Sequence, residues 1–536
     1  QVTVRGTSTN VYFNIAAGLI DFEDFDSSGG LGVSVQSGAQ VGSYGNRNIL
    51  APVTLLSGST IKSLGGGTQT WSGAFTVGLA SGDVVSVDST SNNFGLLGVV
   101  AGPGKLSLTG TTSFFRLAGN NTFTGGTEIT NGGGLSLESP NALGVGNLTQ
   151  TGAGWIDNLS ASAVTLTTTG TYTLNNNLTF GGTSPLDLGV NLTTALTAAR
   201  TFTLNGSTLT MSGPVTGAFG ITKTGAGLLV LGGNNTFTGG VSVTGGSVSI
   251  DNANKFGTNT ALTFNNGGKV ITTANMTFAG AGTLTGAGDL SPTTGTILIA
   301  SGAYSGAGAL TMSGAGTLVL SGTNSYTGGT NITAGAIQVA ADANLGGPAG
   351  TISFNNDGRL RSTGTFTAAR AVTMTGAGTF NIDAGQTVTV SGVVSGAGLI
   401  TKMGTGTLLL TGTNTFTSKL NVTGGTLGAS SVAALSAAPA AFTADWATLA
   451  GPTTYLRATS TIALGANRGI TLNNGGGLFA DAATTLTADN TFTATGTGAT
   501  TRIPCCAPNR CAAAIIAAAS LTVATFTSTG NPLLRE

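Results

Sequence analysis

The sequence contains no histidine, only three cysteines and few charged residues in 536 positions. Without histidine, the chain lacks the commonest general base and the commonest metal ligand of proteins. Its 19 basic and 19 acidic residues cancel, and charged residues make up 7% of the chain, whereas a typical soluble domain has about 25%. This balance argues against nucleic-acid binding and against a polybasic membrane patch.

Long apolar runs are also missing. The longest apolar block, residues 512–519, is shorter than the roughly 20 residues that a membrane-spanning helix needs. The sequence therefore predicts no transmembrane segment. The chain begins with Gln1 and shows no basic-then-apolar leader, from which we expect a processed or excised chain.

What the chain has is glycine, with 89 residues, and short runs of Thr, Val and Leu. Disordered chains combine low hydrophobicity with high net charge, but here 40% of residues are hydrophobic and the net charge is zero. The length alone suggests three or four ordinary domains, but repeat proteins grow by adding units. The composition favours an all-β repeat protein.

Residues 228–250, LLVLGGNNTFTGGVSVTGGSVSI, show the pattern that recurs along the chain. Three pairs of apolar residues lie two apart, so each pair points to one side of an extended strand: Leu229 and Leu231, Val241 and Val243, Val248 and Ile250. The intervening GGNNTFTGG and TGG tolerate positive φ and sharp corners. The stretch predicts three short strands joined by corners.

Four copies of this phrase align, and each passes through a corner of the form Asn-x-aromatic-Thr. The corners are Asn121-Thr-Phe123-Thr, Asn235-Thr-Phe237-Thr, Asn324-Ser-Tyr326-Thr and Asn414-Thr-Phe416-Thr, with the aromatics 114, 89 and 90 residues apart. In all four copies the two strands after the corner keep apolar residues or Thr on the side predicted to face inward. Such agreement is hard to obtain from composition alone.

Strands this short cannot bury an apolar face unless they stack. Coiling the chain so that each strand pairs in parallel with the same-phase strand of the next coil gives a parallel β-helix of about 20 coils with terminal caps. We assign residues 51–500 to these repeats. An interval of 89 or 90 residues would hold four coils, which predicts that the four corners lie along one edge. An array of β-sandwiches is the alternative, but it needs longer strands and hairpin turns.

The two ends differ from the repeats. Residues 1–50 are interpreted as an N-terminal cap or assembly segment; they contain Asp21, Glu23, Asp24 and Asp26, either a weak calcium-site candidate or a solvated turn. Residues 501–536 are interpreted as a C-terminal cap or tail with a short Ala-rich helix. They hold Cys505, Cys506 and Cys511, which predict one disulfide, within or between chains, since three thiols without histidine leave a zinc site incomplete.

Residues 314–347 resemble the autotransporter-associated β-strand repeat of bacterial passenger regions. The resemblance rests on the Gly-x-Gly-x-Leu-x-Leu start, on Asn324-Ser-Tyr326-Thr-Gly-Gly and on the closing Ala343-Asn-Leu345-Gly. The copy at 404–436 departs from it, with Ser418-Lys419 in place of Gly-Gly. The resemblance implies a right-handed parallel β-helix outside a Gram-negative-type cell, with a role of the repeat in export and folding, and it implies no catalytic residues.

Three functions follow as hypotheses. The first is a non-catalytic extracellular structural rod that self-associates into a fibre, sheath or appendage, because little surface charge keeps copies apart. The second is an adhesin passenger with a cell-surface or matrix partner. The third is a polysaccharide-active enzyme, which the scattered acids disfavour. We expect no enzyme activity, no cofactor and no nucleic-acid partner.

Overall fold

The alternating strands stack as the sequence predicts. In the computed structural model the chain is an all-β parallel solenoid with about 22 turns and almost no helix. The structure describes residues 2–5, 13–24, 32–65, 67–89, 93–111, 113–258, 261–488, 492–495, 500–501, 516–517 and 524–527. Two compact units divide the chain: Gln1–Thr263 with Gly267–Val270, and Phe264–Asn266 with Ile271–Glu536.

The elements of the first unit are short strands and one 3-10 helix. They are β1 (Val2–Arg5), β2 (Phe13–Ile15), β3 (Leu19–Asp24), β4 (Val33–Val35), β5 (Gln40–Ser43), β6 (Asn48–Ile49), β7 (Val53–Leu55), β8 (Thr60–Ser63), β9 (Gln69–Trp71), β10 (Phe75–Val77), β11 (Val84–Asp88), β12 (Phe94–Leu96), β13 (Val100–Ala101), β14 (Lys105–Leu108), β15 (Phe114–Leu117), β16 (Thr127–Ile129), β17 (Gly134–Leu137), β18 (Leu148–Gln150), β19 (Trp155–Asp157), β20 (Val164–Thr165), β21 (Gly170–Leu174), β22 (Leu178–Phe180), β23 (Leu186–Asp187), β24 (Leu192–Leu196), β25 (Arg200–Leu204), β26 (Thr208–Met211), β27 (Val215–Thr216), β28 (Ile221–Thr224), β29 (Leu228–Leu231), β30 (Val241–Val243), β31 (Ser247–Ile250) and η1 (Ala253–Phe256).

Two strands, β32 (Leu262–Phe264) and β33 (Gly268–Thr272), contain residues of both units. The elements of the second unit follow: β34 (Met276–Phe278), β35 (Gly282–Leu284), β36 (Gly288–Pro292), β37 (Ile297–Ala300), β38 (Tyr304–Ser305), β39 (Leu310–Met312), β40 (Thr317–Leu320), β41 (Thr330–Ile332), β42 (Ala336–Val339), η2 (Asp342–Leu345), β43 (Ile352–Phe354), β44 (Gly358–Ser362), β45 (Phe366–Ala368), β46 (Val372–Met374), β47 (Gly378–Ile382), β48 (Thr387–Val390), β49 (Val394–Gly396), β50 (Ile400–Met403), β51 (Thr407–Leu410), β52 (Leu420–Val422), β53 (Gly425–Ala429), η3 (Ala433–Leu435), β54 (Thr443–Ala450), β55 (Thr454–Ala458), β56 (Ile462–Ala463), β57 (Arg468–Asn473), β58 (Gly477–Ala480), β59 (Thr485–Ala488), β60 (Phe492–Thr495), β61 (Thr500–Thr501), β62 (Ile516–Ala517) and β63 (Ala524–Thr527).

Neighbouring strands within a sheet are usually two or three strands apart in the chain. A turn of the solenoid therefore contributes at most one strand to each of three sheets. In the first unit, one sheet runs β1-β3-β5-β8-β11-β14-β16-β18-β21-β24-β27 and another runs β2-β4-β7-β10-β13. In the second unit, one sheet runs β34-β37-β40-β42-β44-β47-β50-β52-β54-β57-β60 and another runs β45-β48-β51-β53-β55-β58. All of these pairings are parallel, so the turns lie on one another in register.

The inward side chains form apolar stacks inside each unit. In the first unit the register aligns Leu186, Leu209, Leu229 and Val248 in one column, and all four are buried. Burying one such side chain stabilises the fold by roughly 1.5–3 kcal/mol. The inward pairs predicted in the four copies are all buried, which confirms the predicted strand phases.

The last strands depart from the solenoid pattern. Strand β63 pairs with β59, and β62 pairs with β61, both antiparallel. The prediction of a helix in the Ala-rich block is wrong at Ile516–Ala517, which form β62. The alternating bonds of an antiparallel pair satisfy the backbone there, so a helix is not needed. No helix in the described part of the chain is long and apolar enough to cross a membrane.

Candidate functional site: the repeated corner

The corner asparagines are buried and bridge two neighbouring turns. Each Oδ1 accepts a hydrogen bond from a backbone N–H in the preceding turn, and each Nδ2 donates to a backbone carbonyl in the following turn. The pairs are Val100 and Ala142 for Asn121, Val215 and Lys255 for Asn235, Tyr304 and Asn344 for Asn324, and Val394 and Ala434 for Asn414, at distances of 2.5–2.9 Å. One amide side chain therefore ties three turns together.

The strand below each corner is the last strand of its sheet. Strands β13, β27, β38 and β49 each end a sheet, and the asparagine accepts from the N–H of the first residue in each of them. A sheet end leaves backbone N–H groups without a ladder partner, and a buried unpaired group is costly. The asparagine of each corner therefore satisfies a backbone N–H group of the strand at which a sheet ends.

The rest of the corner continues the inter-turn bonding through its backbone. In the second unit, the N–H of Ser325 donates to the Tyr304 carbonyl at 2.8 Å, and the N–H of Thr327 donates to the Gly306 carbonyl at 2.9 Å. The other three corners repeat this pair of bonds. The aromatic side chains point inward, and Phe123, Phe237, Tyr326 and Phe416 are at most 2% exposed. The corner is thus a short backbone segment whose asparagine side chain bonds the neighbouring turns and whose aromatic ring fills the space inside it.

A tight bend covers the corner from the turn above. In the last three copies it contains a 3-10 helix, η1, η2 or η3, whose last residue is buried. The bend closes on a residue with positive φ, namely Gly144, Gly257, Gly346 or Ser436. At Gly346 an added Cβ would lie 2.6 Å from the Tyr326 ring, so only glycine fits that position without displacement.

The prediction that the corners lie along one edge is wrong. In the second unit, the corner at Asn324 lies over β38 and the corner at Asn414 lies over β49, and these strands belong to different sheets. Eleven strands, β41 to β51, and η2 separate the two corners, which makes 12 elements or four complete turns of three. The next corner takes the thirteenth position, so it falls one sheet further round. In the first unit the corners at Asn121 and Asn235 likewise end different sheets.

Two buried lysines accompany the corners and were missed from the sequence. Lys223 and Lys402 are 0% exposed, and each Nζ donates to three backbone carbonyls: Thr224, Gly225 and Gly245 for Lys223, Met403, Gly404 and Gly424 for Lys402. Burial lowers the pKa of both lysines to about 8. The signal was present, because Ile-Thr-Lys precedes glycine at 221–225 and 400–404.

Two buried arginines hold the bends of the last two copies. Arg370 makes a bidentate ion pair with Asp342 at 2.9 Å and donates to the carbonyls of Leu345, Gly347 and Gly350. Arg468 donates to the carbonyl of Ser436, and its guanidinium lies 5.2 Å from the Trp446 ring. Burial lowers the pKa of Arg468. These groups are bound to loop carbonyls, which is an arrangement for stabilising a bend.

The remaining predicted site residues are not brought to the corners. Asp21 is buried in β3, Glu23 and Asp24 belong to the same strand, and Asp26 lies outside the described residues. Cys505, Cys506 and Cys511 also lie outside the described residues. Within the described residues, no three His, Cys, Asp or Glu side chains gather as metal ligands would. The calcium site and the disulfide stay predictions.

The corners coincide with a known repeat. A family model described as Passenger-associated-transport-repeat matches residues 115–137, 221–250, 310–339 and 400–429. A 95-residue segment is 40% identical to the adhesin BmaC autotransporter of Brucella suis biovar 1 (strain 1330). That match covers 18% of this chain and 3% of the relative, so the chain spans a small fraction of that protein. No solved structure matches the chain. Each of the four matched segments contains one corner, so the chain resembles the passenger-associated transport repeat where its corners lie.

Proposed function

We propose that this chain is a stretch of the passenger of a bacterial autotransporter-type adhesin, displayed outside the cell, where its solenoid carries an adhesive surface without catalysis. The observation that carries the proposal is the coincidence of the four matched repeats with the four buried asparagine corners. The named relative is an adhesin, which favours the adhesin hypothesis over the fibre hypothesis.

The chemistry of the corners supports a scaffold role. Their polar side chains bind backbone groups of neighbouring turns, and their aromatic rings are buried, so neither is presented to a substrate. Many identical inter-turn bonds instead favour a stiff stack that holds a surface at a distance from the cell. The residues that contact a partner are then expected on the outward face of the sheets.

Adhesion is tested with the purified full chain coated on latex particles. We expect the particles to attach to host-cell monolayers above the level of particles coated with an unrelated neutral protein of similar size. Attachment no greater than that control would overturn the proposal. A chain denatured before coating is the second control, because a folded outer surface must be lost with unfolding.

The fibre hypothesis is tested on the same preparation. Light scattering over a concentration series and electron microscopy distinguish a monomer from a polymer. If adhesion is the function, a strictly monomeric particle still attaches to cells. Turnover of polysaccharides, screened with and without calcium, would contradict the non-catalytic part of the proposal.

A further inference from the structure

The first repeat copy differs from the other three in its outward residues. The inward residues of the strand before each corner are nearly uniform: Phe115 and Leu117, Leu229 and Leu231, Leu318 and Leu320, Leu408 and Leu410. The outward residues diverge: Phe114 and Arg116 in β15, Leu228 and Val230 in β29, Thr317 and Val319 in β40, Thr407 and Leu409 in β51. The fold does not require Phe114 or Arg116, since the other copies build the same corner without them.

Phe114 belongs to an aromatic pair on the outside of the sheet. The register places Phe114 beside Gly134, and Gly134 beside Trp155, on three successive strands. The two rings meet edge to face above the glycine, with their centroids 5.3 Å apart. An added Cβ on Gly134 would lie 2.5 Å from Trp155 Nε1 and 2.6 Å from Phe114 Cδ1. The missing side chain of Gly134 thus lets both rings lie down on the sheet, where they remain partly exposed.

Arg116 and Glu138 form the polar side of the same surface. Arg116 Nε and Nη2 donate to the two carboxylate oxygens of Glu138 at 2.6 and 2.7 Å, and the Ser136 hydroxyl donates to Glu138 Oε1 at 2.8 Å. The carboxylate holds the pKa of Arg116 above its usual value. The guanidinium side chain is 26% exposed, while Glu138 is 5% exposed. Three hydrogen bonds therefore fix the orientation of both charged groups.

The combination restricts the class of ligand. Because Arg116 is paired with Glu138, its guanidinium is not an unpaired positive charge for a polyanion or a nucleic acid to bind. The strands are paired on both sides, so they offer no edge for an added peptide strand. Two rings cover far less than the about 1,000 Å² that a stable protein interface needs. What remains is a small ligand that has both an apolar face of C–H groups and hydroxyls.

We propose that Phe114, Trp155, Arg116 and Glu138 form a binding platform for a neutral saccharide. The C–H face of a sugar ring packs on the Trp155 and Phe114 rings, and its hydroxyls bond the partly exposed guanidinium of Arg116, which the buried carboxylate of Glu138 holds in place. The inference names the ligand class of the adhesion proposed above and rests on that proposal. A flat, open platform predicts weak binding by a single site, which several copies on one surface would strengthen.

Tryptophan fluorescence gives a local readout. The chain has three tryptophans; Trp71 and Trp446 are 0% and 3% exposed, whereas Trp155 is partly exposed. We expect a saturable change in emission, and protection from acrylamide quenching, when the full chain is titrated with at least one of maltohexaose, cellohexaose and N-acetylglucosamine hexamer. Polygalacturonate and heparin should give no such change. Response to the acidic polymers alone, or to none of the sugars, would overturn the proposal.

Residues borrowed from the other copies make variants that are expected to fold. Phe114→Thr takes the residue of β40 and β51, and Trp155→Lys takes Lys269 from the matching position of β33. Each should weaken saccharide binding at least tenfold by calorimetry or glycan array, as should Arg116→Val. Arg361→Gln, which removes an exposed bidentate pair with Asp383 in the other unit, should leave binding unchanged. Unchanged binding in all three platform variants would overturn the site.

The two proposals fail separately. If coated particles adhere to cells but the chain binds none of the sugars, adhesion stands and the saccharide platform falls. If the chain binds a sugar through Trp155 but the particles do not adhere, the platform stands and adhesion falls. Adhesion that survives removal of cell-surface glycans by glycosidases would show that a saccharide is not the ligand of that adhesion.

Discussion

The third and fourth repeat copies, both in the second unit, build the same corner with different side chains. Asn324 and Asn414 make the same two inter-turn bonds. Around them the third copy has Tyr326, Thr330, Gly346 and Met312, and the fourth has Phe416, Leu420, Ser436 and Lys402 at the matching positions. The comparison separates what the corner requires from what it tolerates.

The tolerated differences change how the polar atoms around the corner are paired or remove them together. In the third copy the Tyr326 carbonyl accepts from the N–H of Gly347 at 2.8 Å, whereas in the fourth the Phe416 carbonyl accepts from the Ser436 hydroxyl at 2.5 Å. The Tyr326 hydroxyl bonds Thr330 Oγ1 at 2.7 Å, whereas Phe416 and Leu420 at the matching positions have no hydroxyl and are both buried. What the corner requires is satisfied polar atoms and a filled interior.

The asparagine clamp, by which we mean the two inter-turn hydrogen bonds of Asn324 or Asn414, is a polar interaction that both copies share. Replacing Asn324 or Asn414 with Ala leaves one N–H and one carbonyl buried without their partner, at about 1–3 kcal/mol each, so we expect a loss of about 4 kcal/mol in either copy. Urea unfolding followed by circular dichroism measures it, with amide exchange at Tyr304 or Val394 as the local readout, because repeat arrays depart from two-state unfolding.

The matched controls are Thr323→Ala and Thr413→Ala, which change an exposed residue beside each clamp. These should shift the unfolding free energy by less than about 0.5 kcal/mol. Equal effects of the asparagine and threonine changes would show that the clamp does not stabilise the corner.

Exchanging the closing residues should give unequal effects. Gly346→Ser places a Cβ 2.6 Å from the Tyr326 ring at a φ of 86°, for which we expect a loss of about 2 kcal/mol. Ser436→Gly relieves a φ of 65° but removes the bond to Phe416, so the two effects offset to within about 1 kcal/mol. Thermal unfolding of the two variants tests the asymmetry, and equal losses would refute it.

The buried lysines should make stability rise with pH. Their folded pKa is about 8, and the unperturbed value is 10.5, so between these values the unfolded chain binds more protons and folding gains from each pH increase. Lys223→Met/Lys402→Met introduces at both positions the residue that Met312 supplies in the third copy. Because each lysine contributes up to about 1.4 kcal/mol per pH unit, the double variant should abolish a rise of about 2 kcal/mol per pH unit between about pH 8 and pH 9.5. Urea unfolding across this window measures it.

The window ends at about pH 9.5 because burial raises the pKa of Tyr172, Tyr304 and Tyr326, and unfolding then gains from tyrosine ionisation above about pH 10. Lys419→Met is the control, since Lys419 is 52% exposed and paired with Asp445. If the double variant keeps the wild-type slope, the lysines do not cause it.

The Tyr326 hydroxyl should contribute least. Tyr326→Phe leaves Thr330 with its bond to the Leu345 carbonyl, so we expect a loss of about 1 kcal/mol. The double change Tyr326→Phe/Thr330→Leu reproduces the pair of the fourth copy, and it should recover most of that loss. A double variant less stable than Tyr326→Phe, compared by urea midpoints, would show that the two pairs are not interchangeable.

Much of the local structure could be predicted from the residues. The alternation at Leu229 and Leu231, and at Val241 and Val243, determined the strands and their buried sides, and the Asn-x-aromatic-Thr spacing determined the corners. These features depend on residues close together in sequence, where side-chain period and glycine content act directly on the backbone. The sequence used the aromatic residue only to locate each corner, and the structure shows that its ring fills the interior of that corner.

The partners of those residues could not be predicted. Asn324 bonds Tyr304 and Asn344, each 20 residues away, and Lys402 bonds the carbonyl of Gly424 in the next turn. A lysine in an alternating strand reads as an outward residue, because nothing local shows that three carbonyls converge on its inward side. Such contacts depend on how one turn lies on another.

The sequence by itself determined that this chain is a stack of short strands with four equivalent corners. Only the tertiary structure decided where the corners lie. An interval of 90 residues counts residues, not strands per turn, and the solenoid of the second unit divides it into four turns and one further strand position. The sheet on which each corner lies follows from the number of strand positions in each turn, and that number depends on how the turns stack on one another.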